Sequence, residues 1–291
     1  MILVAGATGM VGGLVCARLA AGGMSARAMV RPTSVSEKLE GLRAAGLEMV
    51  EGDLRDPASL DAACAGVDSV ICTVSSMPFS YDPGVNDIET TDRAGVEALI
   101  DAAARAGVSH FVYTSFSANL DLDFPLCRAK REVEQHLRDS GLTYTILRPS
   151  CFMEVWLSPA VGFDPANGSV TIYGDGTRPV SFIAADDVAA FAVASLSAPS
   201  ARNAVLELGG PDALSPLEAA SIFEESVGRA LQRQFVPVEA LQEQLAGATD
   251  GMQRSFVSLM LCVAKGDPID MSALPDDLSV SLTSVREFAG R

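Results

Sequence analysis

Ile2-Leu-Val-Ala5-Gly6-Ala-Thr8-Gly9-Met10-Val11-Gly12 runs from a short apolar segment straight into three glycines spaced three residues apart, and a helical pattern continues from Gly12 to Ala21. A buried strand, a tight turn and a helix in that order form the opening of a βαβ unit. Gly6 permits the turn, Gly9 lets backbone approach a pyrophosphate, and Gly12 allows the helix to pack closely on the strand. The free N–H groups at the start of the helix then face phosphate oxygens. Gly6, Thr8, Gly9, Met10, Val11 and Gly12 are therefore expected at a dinucleotide. The competing reading is a set of glycines that only tighten a βα turn.

The rest of the first half repeats the unit. Apolar runs at Ala26–Val30, Glu48–Glu51, Ser69–Val74, His110–Ser115 and Tyr144–Leu147 predict strands. Between them, Ser36–Ala45, Pro57–Ala65, Val85–Ala106 and Pro125–Ser140 predict helices, most of them closed by a glycine. Short apolar strands alternating with helices imply an α/β fold, a Rossmann-type doubly wound parallel sheet. Residues 150 to 180 are dense in Gly and Pro and read as loops and short strands. A helix at Asp186–Ser197 and a strand at Val205–Leu208 return to the sheet. Beyond Pro211, helical stretches at Pro216–Val227, Val238–Ala246 and Met252–Val263 read as a small C-terminal substrate lobe. The expected division is a dinucleotide-binding domain over 1–150, rejoined by 180–210, and a smaller substrate-binding lobe from 151–179 and 211–291.

Composition narrows the partners. A net charge of −16 with no long basic cluster argues against nucleic acid. No apolar run approaches membrane-span length and no secretory signal opens the chain, so a cytoplasmic location without membrane contact is expected. Six singly placed cysteines and two histidines predict neither a metal site nor a disulfide framework. The expected partner is a small molecule, apolar or aromatic, with the chain a monomer or homodimer.

The ends of the strands carry the ligand chemistry. An NAD-binding unit ends its second strand in an acidic residue that accepts from the adenosine ribose 2′-hydroxyl. Here the strand ends in Arg31, whose forked donors suit a 2′-phosphate, and the expected cofactor becomes NADP(H). Thr33, Ser34 and Lys38 stand close enough in sequence to assist. Asp53 and Leu54, after the third strand, are placed to meet the adenine. Val74 and Ser75, after the fourth, lie where a dinucleotide crosses the sheet.

Together, Gly6–Gly12, Gly52-Asp-Leu-Arg-Asp56, Ala106–Ser115, Lys130-Arg-Glu-Val-Glu134, Leu147-Arg-Pro149 and Asp186-Asp-Val-Ala189 resemble the atypical short-chain dehydrogenase/reductase superfamily, more narrowly its NmrA-like branch. The resemblance covers roughly residues 1 to 210. It implies relatives among NADPH-dependent quinone, dye and isoflavone-type reductases and among nucleotide-sensing regulators. It also implies an active-site role for Ser115 and for Lys130, which matches the lysine four residues after the superfamily's catalytic tyrosine. That tyrosine position holds Leu126, which has no titratable group. Pro149 and Phe152 fall where relatives run backbone along the nicotinamide.

Three proton routes then stand open: Lys130 itself, a replacement tyrosine such as Tyr81 in the loop Met77–Pro83, or solvent water. The expected activity is hydride transfer from NADPH to a conjugated or quinoid acceptor. The alternative is a catalytically silent NADP(H) sensor. Phe116, Trp156 and Phe163 are candidates for the acceptor side.

Overall fold

The computed structural model describes residues 1–78, 80–120 and 122–291. Strands β1 (Ile2–Ala5), β2 (Ala26–Val30), β3 (Glu48–Glu51), β4 (Ser69–Cys72), β5 (His110–Thr114) and β6 (Thr143–Pro149) alternate with helices α1 (Met10–Ala21), α2 (Ser36–Ala44), α3 (Pro57–Cys64), α4 (Ala94–Arg105) and α5 (Pro125–Asp139). After β6 come α6 (Met153–Trp156), β7 (Phe163–Asp164), β8 (Ser169–Tyr173), α7 (Ala185–Ala194) and β9 (Ala204–Leu208). The chain ends with α8 (Pro216–Val227), β10 (Gln232–Val236), α9 (Val238–Gly247), α10 (Gly251–Lys265) and α11 (Val285–Ala289).

Seven strands form one parallel sheet in the order β3-β2-β1-β4-β5-β6-β9. Side chains alternate across it, as the period of a strand requires. Val4, Ile71 and Val112 point to a core shared with α1 and α7, whereas Leu3, Val70 and Phe111 point to a second core under α3, α4 and α5. Both faces are covered, which is why the strands carry near-continuous apolar runs. The order reverses between β1 and β4, and a crevice opens there beyond the strand carboxyl ends.

A three-stranded sheet, β10-β8-β7, packs with α6, α8, α9 and α10 around a third core that includes Tyr173, Phe182 and Phe223. The segment Met271 to Leu282 nonetheless packs on the main sheet, with Leu278 fully buried in the core beside α1 and α7. Among the described residues, no helix is long and apolar enough to cross a membrane.

Several elements differ from the sequence expectations. The helix expected at Val85–Ala106 begins instead with a π-helical turn, Ile88–Arg93, capped by the Asp87 carboxylate on the Thr90 N–H, and only then continues as α4. β4 stops at Cys72 and β5 at Thr114, which leaves Val74, Ser75 and Ser115 in loops beyond the sheet. The segment 150–180 holds α6, β7 and β8, and β10 was not anticipated.

Candidate functional site

The glycine turn is built as its sequence requires. Gly6 has φ 85°, a conformation open to glycine, and Gly9 N–H closes the turn on the Gly6 carbonyl at 2.8 Å. A Cβ on Gly12 would sit 2.1 Å from that carbonyl oxygen, so α1 packs where only glycine fits. Gly9 caps α1 without a side chain, and the first turn carries no acidic residue. Its N–H groups need acceptors, and a pyrophosphate fits them.

A cleft of about 870 Å³ runs from this turn across the carboxyl ends of the sheet. Thr8, Gly9, Met10 and Val11 form its floor beside Gly6, while Gly12 packs behind them. Arg31, Lys38, Asp53, Leu54 and Arg55 wall one end. Arg31 is exposed, and its backbone N–H donates to Ser34 Oγ at 3.0 Å. Lys38 Nζ donates to the Thr8 carbonyl at 2.7 Å and so ties α2 to the glycine turn. Asp53 is bound in a fork by Arg55 at 2.9 and 2.7 Å, and that hydrogen bond holds its carboxyl down at about 2. Its oxygens are therefore already engaged at the position expected to meet adenine.

Val74 and Ser75 cross the middle, and Ser115, Lys130, Pro149 and Phe152 converge at the far end. Lys130 projects from α5 and is 4% exposed. Its Nζ donates to the Val74 carbonyl at 3.2 Å and lies 3.6 Å from Asp92 Oδ1. It also stands 5.2 Å from the centre of the Tyr113 ring. Glu134, the helical neighbour on the same motif, is not its partner. That carboxylate is fully buried and receives Arg148 and Arg131. Burial pushes the Glu134 carboxyl up, but Arg148, Ser115 and Arg131 together hold it below the usual range.

Ser115 reaches the cleft wall, yet its hydroxyl donates to Glu134 Oε1 at 2.6 Å and accepts from Arg131 at 3.0 Å. Tyr81 is not among the described residues that wall the cleft. It packs half-buried against the cluster of Ile88, Leu120 and Phe124, and burial, with Asp87, Asp250 and Asp92 nearby, raises its hydroxyl pKa. Leu126 does wall the cleft, and its backbone N–H donates to Ser255 Oγ at 3.1 Å. Phe116 and Trp156 line the apolar end, whereas Phe163 is core and meets Phe223 edge-on at 5.0 Å. Cys16 and Cys151 also stand in the cleft wall; burial pushes the first thiol up to about 12 and the second well above its ordinary value.

Sequence reasoning missed Asp92. It is fully buried, takes the Ser76 N–H and hydroxyl on Oδ2, and leaves Oδ1 facing Lys130 without a hydrogen bond. The available signal was Asp87 followed by Thr90, a capping pair that marks a helix start inside the supposed helix.

Three comparisons bear on this cleft. The NAD(P)H azoreductase of Xenophilus azovorans is 33% identical over all of this chain and 93% of its own length. The NADPH-dependent quinone oxidoreductase of Escherichia coli superimposes with a TM-score of 0.76 at 25% identity, covering 99% of this chain and 98% of that one. The Citrobacter sp. triphenylmethane reductase, solved with NADP(H), gives a TM-score of 0.77 at 25% identity, with 99% of each chain covered. These relatives are named as reductases or oxidoreductases, and their nucleotide is NADP(H) or NAD(P)H. The model of the NmrA-like family matches residues 1–289, and the chain belongs to that family.

Proposed function

We propose that this protein is an NADPH-dependent reductase that passes hydride to an apolar quinoid, azo or otherwise conjugated aromatic acceptor without the superfamily's tyrosine. The observation that carries this reading is Lys130, a buried ammonium at the junction between the dinucleotide track and an apolar chamber walled by Phe116, Leu126 and Trp156. Bound NADPH supplies the hydride. Arg31 and Lys38 receive the 2′-phosphate, the first turn of α1 holds the pyrophosphate, and Pro149 and Phe152 border the nicotinamide. Residues 1–150 with 180–210 hold the nucleotide, and 151–179 with the C-terminal elements frame the acceptor.

Lys130 has the geometry to offset the negative charge that hydride arrival leaves on the acceptor and to relay a proton to it. Asp92 fixes its position. Ser115 acts through Glu134, since its own proton is directed there. That committed hydroxyl, together with Leu126, favours a second reading, a nucleotide sensor without turnover.

The two readings separate when the protein is mixed with NADPH and naphthoquinone, azo dyes, a cationic triarylmethane dye and enones, and NADPH absorbance is followed. Oxidation with at least one acceptor is expected, and Lys130→Met should lower kcat by about 10²–10⁴ for acceptors that need a proton. Tight NADPH binding with no oxidation by any acceptor would overturn the reductase in favour of the sensor.

A further inference from the structure

A second cavity, of about 620 Å³, adjoins the cleft, and the two share Met77, Pro78, Val155 and Phe256 in their walls. The shared residues place the boundary between the two cavities at the end of the cleft away from Arg31 and the glycine turn. Ala160 and Val161 after α6, Ala248 after α9, and Met252 and Val257 on α10 complete its lining. Its polar side chains are two amides, Gln244 and Gln253, both exposed. No charged side chain is among the described residues that line it.

Most of the main cleft's wall belongs to the dinucleotide track, so a bound nucleotide leaves room there for only a compact ring system. Past the boundary formed by Met77, Pro78, Val155 and Phe256, the space next to that ring system is the second cavity. The chamber beyond rewards burial of uncharged, apolar surface and offers nothing to a carboxylate or sulfonate. We infer that the second cavity is a distal subsite for the far arm of an elongated acceptor made of linked, uncharged aromatic rings. The identity of the reacting end rests on the reductase reading above; the subsite itself rests on the continuity and chemistry of the two cavities.

The test uses the full chain saturated with NADP⁺, so that binding is read without turnover. Trp156, the single tryptophan, walls the cleft and reports occupancy by its fluorescence. Three probes are titrated: naphthoquinone, the same ring carrying a biphenyl arm, and biphenyl alone. The arm is expected to tighten binding by at least about tenfold, the effect of burying one or two further apolar groups. Ala248→Phe, which fills the second cavity, should remove that gain and leave naphthoquinone affinity unchanged; Val257→Phe repeats the test from α10.

An arm that gives no gain in the wild-type protein overturns the proposal, as does a gain that survives both variants. The arm's gain without any NADPH oxidation by either quinone would instead overturn the reductase reading and leave the subsite standing.

Discussion

Arg31 directly follows β2 and walls the cleft, with no acidic residue on the strand before it. A guanidinium there can grip a phosphate in two places and has nothing to offer a ribose hydroxyl. Arg31→Ala is expected to weaken NADPH by about 10- to 100-fold, the loss of one charged hydrogen-bonded contact, while NADH affinity stays as it was. Titration calorimetry with both nucleotides checks this, and equal losses would remove Arg31 from the 2′-phosphate. Its place on the cleft wall was legible because the end of a strand at the crevice depends only on position along the chain. Asp53 was only half legible: its place on the cleft wall was foreseen, but the fork with Arg55, two residues on, is a local side-chain choice that no periodicity reveals.

His110 makes a different prediction at the same scale. Thr145 gives its only hydroxyl proton to the Ala201 carbonyl, so His110 Nε2 must donate to Thr145 Oγ1, and Nδ1 is left bare and buried without a partner. Burial, aided by Arg202, lowers its pKa from 6.5 to about 4. The native state thus holds the neutral ring, and the unfolded chain takes up the proton first. This contribution is complete above pH 6.5 and is lost as pH falls toward 4. It amounts to something on the order of 3 kcal/mol. Urea unfolding of His110→Gln over that window should show a flatter dependence of stability on pH than the wild-type chain.

Among the elements, the turn into α1 is the one the chain can least alter. Gly12→Ala forces a methyl against the Gly6 carbonyl and should cost about 3 kcal/mol, with loss of NADPH binding, because backbone rather than a flexible side chain must yield. A urea midpoint and a nucleotide titration measure both. The β1-turn-α1 unit was readable since glycine spacing, strand length and helical period all agree there. The start of α4 was not, because a π turn slips one residue into the helical count and swings the polar run Glu89–Arg93 so that Asp92 faces inward. β10 escaped for another reason. Gln232-Arg-Gln-Phe-Val236 is an edge strand with Phe235 exposed, so burial imprints no alternation on it.

At the scale of the whole molecule, one buried carboxylate ties the C-terminal segment to the strand ends that border the cleft. Asp267, fully buried in the stretch after α10, accepts from Ser117 Oγ and Ser150 Oγ at 2.6 Å each. Those serines follow β5 and β6, and Ser150 walls the cleft, so one carboxylate couples the C-terminal segment to the ends of two central strands. Asp267→Ala strands two buried hydroxyls and should lower stability by about 3 kcal/mol, with a smaller loss for Asp267→Asn. Urea unfolding of the two variants reads both losses. Nothing in the sequence around Gly266-Asp-Pro268 marks this tie, because both partners are more than a hundred residues away and no local period records them.

The burial that raises the thiol pKa values of Cys16 and Cys151 has a consequence for chemical durability. Quinones and related acceptors are electrophiles, and a thiolate in the cleft would add to them and end the enzyme's working life. Both residues line the cleft, yet burial pushes each thiol's pKa upward and so disfavours the thiolate. Under the proposed activity, these two cysteines therefore meet an electrophilic acceptor as thiols rather than thiolates, which slows their addition to it.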